Sequence, residues 1–181
     1  DDGKVARSCA RFPTVARFAA QALGLDRLWP TLGHAMRDWD HAATREVDQV
    51  IGAFFLIRRR LFESLGGFDE RLAPYFWEDV DLSLRVREGV RETVVAAAVT
   101  VVHRHGATVE KEPERLRRAI YERNRLLVSW RHLHGRRWLS HLGWLPLRLA
   151  GGLLRDRAVV KGFVLAVGCL LSVGGSRAGR R

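Results

Sequence analysis

The chain has 181 residues, 47% of them apolar and 28% charged, which is enough for one sizeable globular domain with a packed core. Its two cysteines, Cys9 and Cys169, belong to no CxxC pair, so no disulfide framework or zinc signature is present and a reducing compartment fits. The net charge of +11 is uneven: residues 1–110 hold 15 Lys/Arg against 16 Asp/Glu, and residues 111–181 hold 16 against 4. A near-neutral body therefore carries a basic C-terminal third, of the kind drawn to nucleic acid or an anionic membrane face.

Asp1-Asp2-Gly3-Lys4 reads as a tight turn. With neither an initiator Met nor a signal peptide ahead of it, the chain is expected to begin inside a longer polypeptide. Phe12 to Leu25 carries apolar residues at helical spacing, with Pro13 suited to the first turn. Residues 26–45 are irregular. Val47 to Ile57 is β-branched and aromatic, apolar on both faces in its second half, and is expected to be a buried central strand. Gly52-Ala53 within it marks close approach to the backbone. Arg58 to Leu65 predicts a short helix closed by Gly66-Gly67.

Next comes the densest stretch. Between Gly66 and Asp81 lie five carboxylates and four aromatic residues. Asp79 to Arg87 predicts the front of a helix that Gly89 stops. Glu92 to Val102 reads as a second strand, ending in His103-Arg104-His105-Gly106, and Glu112 to His134 as a long helix. From Gly135 onward Trp and Leu alternate with Gly, Pro and Arg. Gly162 to Ser176 is apolar but only 15 residues long, short of the roughly 20 that span a bilayer. Two readings of this tail weigh equally: helices lying in a membrane interface, or helices packed on protein.

Adjacent carboxylates such as Glu78-Asp79-Val80-Asp81 commonly do no more than favour a helix N-terminus. Here Tyr75, Phe76 and Trp77 immediately precede them. A carboxylate beside aromatic surfaces can deprotonate a hydroxyl while the rings stack on a sugar. His103 follows a strand, where α/β proteins place ligands. Imidazole can complete a Mg²⁺ or Mn²⁺ site, and Arg104 suits a diphosphate.

The runs Val50 to Arg59, Gly66 to Glu70, Tyr75 to Arg85 and Val102-His103, in that order and spacing, resemble the C-terminal half of a family 2 glycosyltransferase of the GT-A fold, in the rhamnosyltransferase-like branch. Arg7-Ser8, Arg11-Phe12-Pro13, Asp38-Trp39-Asp40-His41 and Tyr121-Glu122-Arg123-Asn124-Arg125 are similar to the same branch, so the resemblance covers about residues 1–135. It implies an α/β fold, the C-terminal portion of a Rossmann-like, mixed-sheet GT-A domain over 1–135, followed by basic amphipathic helices over 136–181.

The activity implied is inverting transfer of a sugar, with rhamnose suggested by the branch, from a nucleotide-diphosphate sugar to a hydroxyl of a glycan or lipid-linked acceptor in cell-envelope polysaccharide synthesis. Asp79 maps to the general base, with Glu78 and Asp81 as supporting acids and Arg85 as an ion-pair partner for one of them. Tyr75, Phe76, Trp77, Gly52 and Ala53 map to the acceptor side, Arg104 to the donor diphosphate, and His103 to a divalent metal, Mg²⁺ or Mn²⁺. The family's nucleotide pocket and its Asp-x-Asp motif after a strand have no counterpart here. Asp38-Trp39-Asp40 and Asp79-Val80-Asp81 share the spelling without following a buried strand. Most metal ligands and most of the donor site are thus expected outside these residues, leaving the fragment inactive alone. The expected location is cytoplasmic, peripheral at the inner face of the cell membrane, with an anionic membrane surface as partner. The alternative is a non-catalytic basic module binding anionic membrane or nucleic acid. Nucleic acid is disfavoured because the aromatics cluster with acids instead of Arg.

Overall fold

The computed structural model describes residues 8–89, 91–103 and 109–178. They fall into two compact units: Asp1–Asp69 with Glu78–His103, and Glu70–Trp77 with Arg104–Arg181. The expected hairpin turn at Asp1-Asp2-Gly3-Lys4 lies outside the described residues, as do Arg104, His105 and Gly106.

In the first unit, β1 (Cys9–Ala10) pairs antiparallel with β3 (Gln49–Val50), Cys9 opposite Val50. The strand β2 (Arg45–Val47) pairs antiparallel with β4 (Thr93–Val95), Arg45 opposite Val95. Among the described residues these two small sheets replace the expected mixed sheet. The predicted strand Val47–Ile57 is regular only to Val50. Beyond it the chain is irregular, and Leu56 is 91% exposed. The predicted strand Glu92–Val102 narrows to β4, and Val102 stands exposed. Cys9, Met36 and Val47 form a small core, flanked by Trp39, Val50 and Val95.

The helices follow the sequence pattern more closely. The helix α1 (Val15–Ala22) is capped by Thr14, whose hydroxyl accepts from the Arg17 N–H at 3.2 Å, so Pro13 precedes the cap and does not sit in the first turn. A short α2 (Leu25–Leu28) follows. The helix α3 (Arg59–Ser64) ends at Gly66 and Gly67, both with left-handed φ, whose N–H groups donate to the Glu63 and Phe62 carbonyls. Only glycine takes two such φ values without steric cost. The helix α4 (Glu78–Glu88) carries Glu78, Asp79 and Asp81 in its first turn, where the helix dipole favours them.

The second unit is helical. The helices α5 (Glu114–His132), α6 (Arg136–Arg155) and α7 (Arg157–Ala178) pack on one another. A Cβ at Gly162 would stand 2.6 Å from the Glu122 Cβ and 2.8 Å from the Ala119 carbonyl oxygen. The glycine therefore lets α7 lie directly on α5. Buried Glu122 accepts from Arg125 at 3.0 Å within α5 and from Arg148 of α6 at 2.6 Å, which keeps a carboxylate paired where it would otherwise be costly. Among the described residues, no helix is long and apolar enough to cross a membrane.

Candidate active site

Asp79 sits half-buried in the first turn of α4. Its Oδ2 accepts the Gly52 N–H at 2.9 Å, and its Oδ1 accepts the Val80 N–H at 2.8 Å. The carboxylate thus ties the start of α4 to the segment just after β3. Burial pushes its pKa above the ordinary aspartate value, while the hydrogen bonds from Gly52 and Val80 pull the other way. Burial also raises the Glu78 pKa, helped by the neighbouring Asp79 charge. The Oε2 of Glu78 is buried and finds no hydrogen-bond partner among the described residues. Two adjacent carboxyls that both resist ionisation fit a site for proton transfer.

Asp81 turns elsewhere. It is fully buried and receives the Arg85 Nε at 2.8 Å, while Arg85 Nη1 donates to the Leu65 carbonyl at 2.6 Å. The ion pair expected for Arg85 therefore falls on Asp81, and it fastens α4 to the end of α3. Asp38 is likewise engaged, in a bidentate pair with Arg11 at 2.9 and 2.5 Å that holds its carboxyl below the usual carboxylate range. Asp40 closes a local turn onto the Ala42 N–H.

Gly52 and Ala53 are exposed. A Cβ at Gly52 would stand 3.9 Å from the Asp79 Oδ2, ordinary van der Waals contact, so no described neighbour demands glycine there.

Tyr75, Phe76 and Trp77 belong to the second unit. The Tyr75 and Phe76 rings meet edge to face at 4.8 Å, and Tyr121 of α5 meets Phe76 at 5.7 Å and Trp77 at 5.5 Å. Trp77 is buried, and Tyr75 and Phe76 are half-buried. The rings form an edge-to-face cluster with one another. Phe76 and Trp77 both have φ 73°, a conformation that costs non-glycine residues energy and persists only where surroundings enforce it. Here Asn124 enforces it. Its amide, fully buried, donates to the carbonyls of Leu72 at 2.6 Å, Tyr75 at 3.0 Å and Phe76 at 2.8 Å. Arg123 adds a bond to the Ala73 carbonyl. Tyr121 and Asn124 had only one signal in sequence, the similarity of the run Tyr121 to Arg125.

His103 is exposed, eight residues beyond the end of β4, and Arg104 lies outside the described residues. No group of three or more His, Cys, Asp or Glu side chains among the described residues is placed to hold a metal ion.

No family model matches the chain, and no solved structure matches it. Two curated proteins do. Each is an N-acetylglucosaminyl-diphospho-decaprenol L-rhamnosyltransferase, from Mycobacterium tuberculosis strains CDC 1551 / Oshkosh and ATCC 25618 / H37Rv, and each is 28% identical over 169 residues, covering 88% of this chain and 51% of the relative. The chain spans about half the length of these relatives, and what it is similar to is, by name, a glycosyltransferase.

Proposed function

We propose that this chain is the acceptor-side part of a glycosyltransferase of family 2 and GT-A type, in which Asp79 is the general base. The observation that carries the reading is the Asp79 carboxylate. It is half-buried at a helix start, fixed by the Gly52 N–H, and biased by burial toward holding a proton. Similarity to two rhamnosyltransferases supports the reaction class.

In the reaction, an acceptor hydroxyl oxygen attacks the anomeric carbon of a nucleotide-diphosphate sugar. The bond from that carbon to the diphosphate oxygen breaks, and the nucleoside diphosphate leaves with the electron pair. Asp79 takes the hydroxyl proton, and inversion follows from attack opposite the leaving group. Glu78, adjacent and with its pKa raised by burial, is the supporting acid beside the base. Asp81 with Arg85 holds α4 in place. Tyr75, Phe76 and Trp77 contribute to acceptor recognition, with Gly52 and Ala53 beside the base. Rhamnose as the sugar and a diphospho-polyprenol-linked glycan as the acceptor follow the relatives' name. His103 and Arg104 belong to the donor diphosphate and metal side, whose remaining residues lie outside these 181.

The test is a transfer assay on the polypeptide extended to include the donor-binding half. Asp79→Asn is expected to slow turnover by about 10²–10⁴-fold while donor binding persists; an unchanged rate removes the assignment. For the 181 residues alone, titration calorimetry is expected to detect no tight nucleotide-sugar binding, and micromolar binding of a dTDP- or UDP-sugar with Mn²⁺ would overturn the division between acceptor and donor sides.

A further inference from the structure

The apolar tail does not present itself as its sequence suggests. In α7, the glycine-rich run from Gly162 turns Gly162 and Ala166 inward, both buried, so that side of the helix is consumed by packing on α5. The rest of α7 still exposes Val164, Leu165, Leu170 and Leu171, and α6 carries a second apolar surface. Leu139, Leu142, Leu147, Leu153 and Leu154 recur at spacings that place them on one side of the helix. All five are exposed, Leu139 and Leu147 at 66% and Leu154 at 85%. The opposite side carries His141 and Gly152, both buried.

The charges are arranged around this stripe. Arg136 and Arg137 open α6, and Arg155, Arg157 and Lys161 follow its far end. Asp156 is the one acid between residues 136 and 161. Arg148, in the middle, reaches to the other side and pairs with Glu122. The stripe is therefore uncharged along its length and basic at both ends. A soluble protein rarely leaves so continuous an apolar face uncovered unless something binds it. An apolar stripe bounded by cations is the pattern of a helix lying in a bilayer interface, with leucines at the acyl boundary and guanidinium groups among anionic headgroups.

We propose that the outer side of α6 is a docking surface for the anionic face of a lipid bilayer, with the helix parallel to it. A protein partner would require acidic groups at both ends of an apolar groove, whereas an anionic bilayer offers the apolar layer and the negative charge together. This assignment is independent of the catalytic reading, since it uses no residue of the Asp79 site.

Vesicle co-sedimentation of the 181-residue chain tests it, with vesicles of phosphatidylcholine mixed with phosphatidylglycerol and of phosphatidylcholine alone. The chain is expected to pellet with the mixed vesicles, and raising the salt is expected to release it as headgroup attraction is screened. The variant Leu139→Ser/Leu147→Ser/Leu154→Ser changes only exposed positions and should lose binding tenfold or more with an unchanged circular dichroism spectrum. A second variant, Arg136→Gln/Arg137→Gln/Arg155→Gln/Arg157→Gln, keeps the leucines and should lose the preference for phosphatidylglycerol. Full binding by the serine variant overturns the proposal, as does no binding by the parent chain. So would light scattering that shows a dimer of the parent chain dissociated by the serine changes.

Discussion

The side-chain amide of Asn124 lies 2.8 Å from the carbonyl oxygen of Phe76, across 48 residues of sequence. The same amide reaches Leu72 and Tyr75, so one buried group organises the loop that leads into Glu78 and Asp79. Asn124→Ala leaves three carbonyls without this donor. The loss is expected to cost about 3 kcal/mol, since each buried group left unpaired costs roughly 1–3 kcal/mol. Denaturant unfolding measures it. Asn124→Asp, which retains shape but supplies no amide hydrogens, should be at least as damaging. A near-parental stability for Asn124→Asp would show that the bonds do not hold the loop.

Asp79→Asn separates stability from chemistry. Burial raises the Asp79 pKa, so the folded protein favours the neutral carboxyl. That contribution is complete below the ordinary aspartate value and is lost as pH rises through the raised one. Asparagine remains neutral and still offers an oxygen to the Gly52 N–H. The variant is expected to match the parent in acid and to be more stable at neutral pH, as thermal unfolding at both pH values will show. In the extended polypeptide, parental transfer should rise with pH as Asp79 ionises, and the variant should lose about 10²–10⁴-fold in rate, the range typical of general-base catalysis.

The Asp81–Arg85 pair is buried on both sides, at 2.7 Å between Arg85 Nη2 and Asp81 Oδ2. Removing Arg85 takes its ion pair from a carboxylate held away from water. Arg85→Leu is expected to destabilise by about 3–5 kcal/mol, the usual cost of breaking a buried pair, and also frees the Leu65 carbonyl. Arg87→Leu, at an exposed pair with Glu46, should leave the denaturation midpoint close to the parent's, because solvent screens a surface pair. Chemical denaturation of the two variants side by side distinguishes buried from surface charge.

Replacing a helical glycine with alanine ordinarily stabilises by roughly 0.5–1 kcal/mol. Gly162→Ala should do the opposite. Its Cβ would fall 2.6 Å from Glu122 and 2.8 Å from the Ala119 carbonyl, forcing α7 away from α5 at an expected cost of about 1–3 kcal/mol. Gly143→Ala, with nothing within 4 Å, is the control and should stabilise.

Cys9 is buried, and that burial pushes its thiol up to about 11, with Arg45 and Arg11 opposing the shift. The thiolate is the reactive form. In the native protein at pH 8, iodoacetamide is expected to label the less buried Cys169 and spare Cys9 until denaturant is added. Peptide mapping after timed quenching checks the order.

Local and distant interactions explain which features could be read from the chain. The helices over Phe12–Leu25, Arg58–Leu65 and Glu112–His134 were legible because helical spacing is a local property of each segment. So was the helix bearing Asp79, through its acidic first turn. The two predicted strands were not. A strand is regular only where another strand supplies hydrogen bonds, and among the described residues the first run pairs with β1 just at Gln49–Val50, while β2 pairs with just three residues of the Val-rich run. In the site, Asp79 and its aromatic neighbours were visible as a cluster in sequence. The difference between Asp79, facing Gly52, and Asp81, facing Arg85, depends on where a helix points each side chain. The roles of Asn124 and Tyr121 depend on residues about 50 positions away.

The two hydrogen bonds on Asp79 also give proton uptake a direction. Each carboxylate oxygen offers two lone pairs. Gly52 occupies one on Oδ2 and Val80 one on Oδ1. An arriving proton must take one of the remaining lone pairs, unless it first displaces a backbone amide. A hydroxyl approaching from any other bearing would find the carboxylate already engaged, so the two amides choose which donors Asp79 can serve.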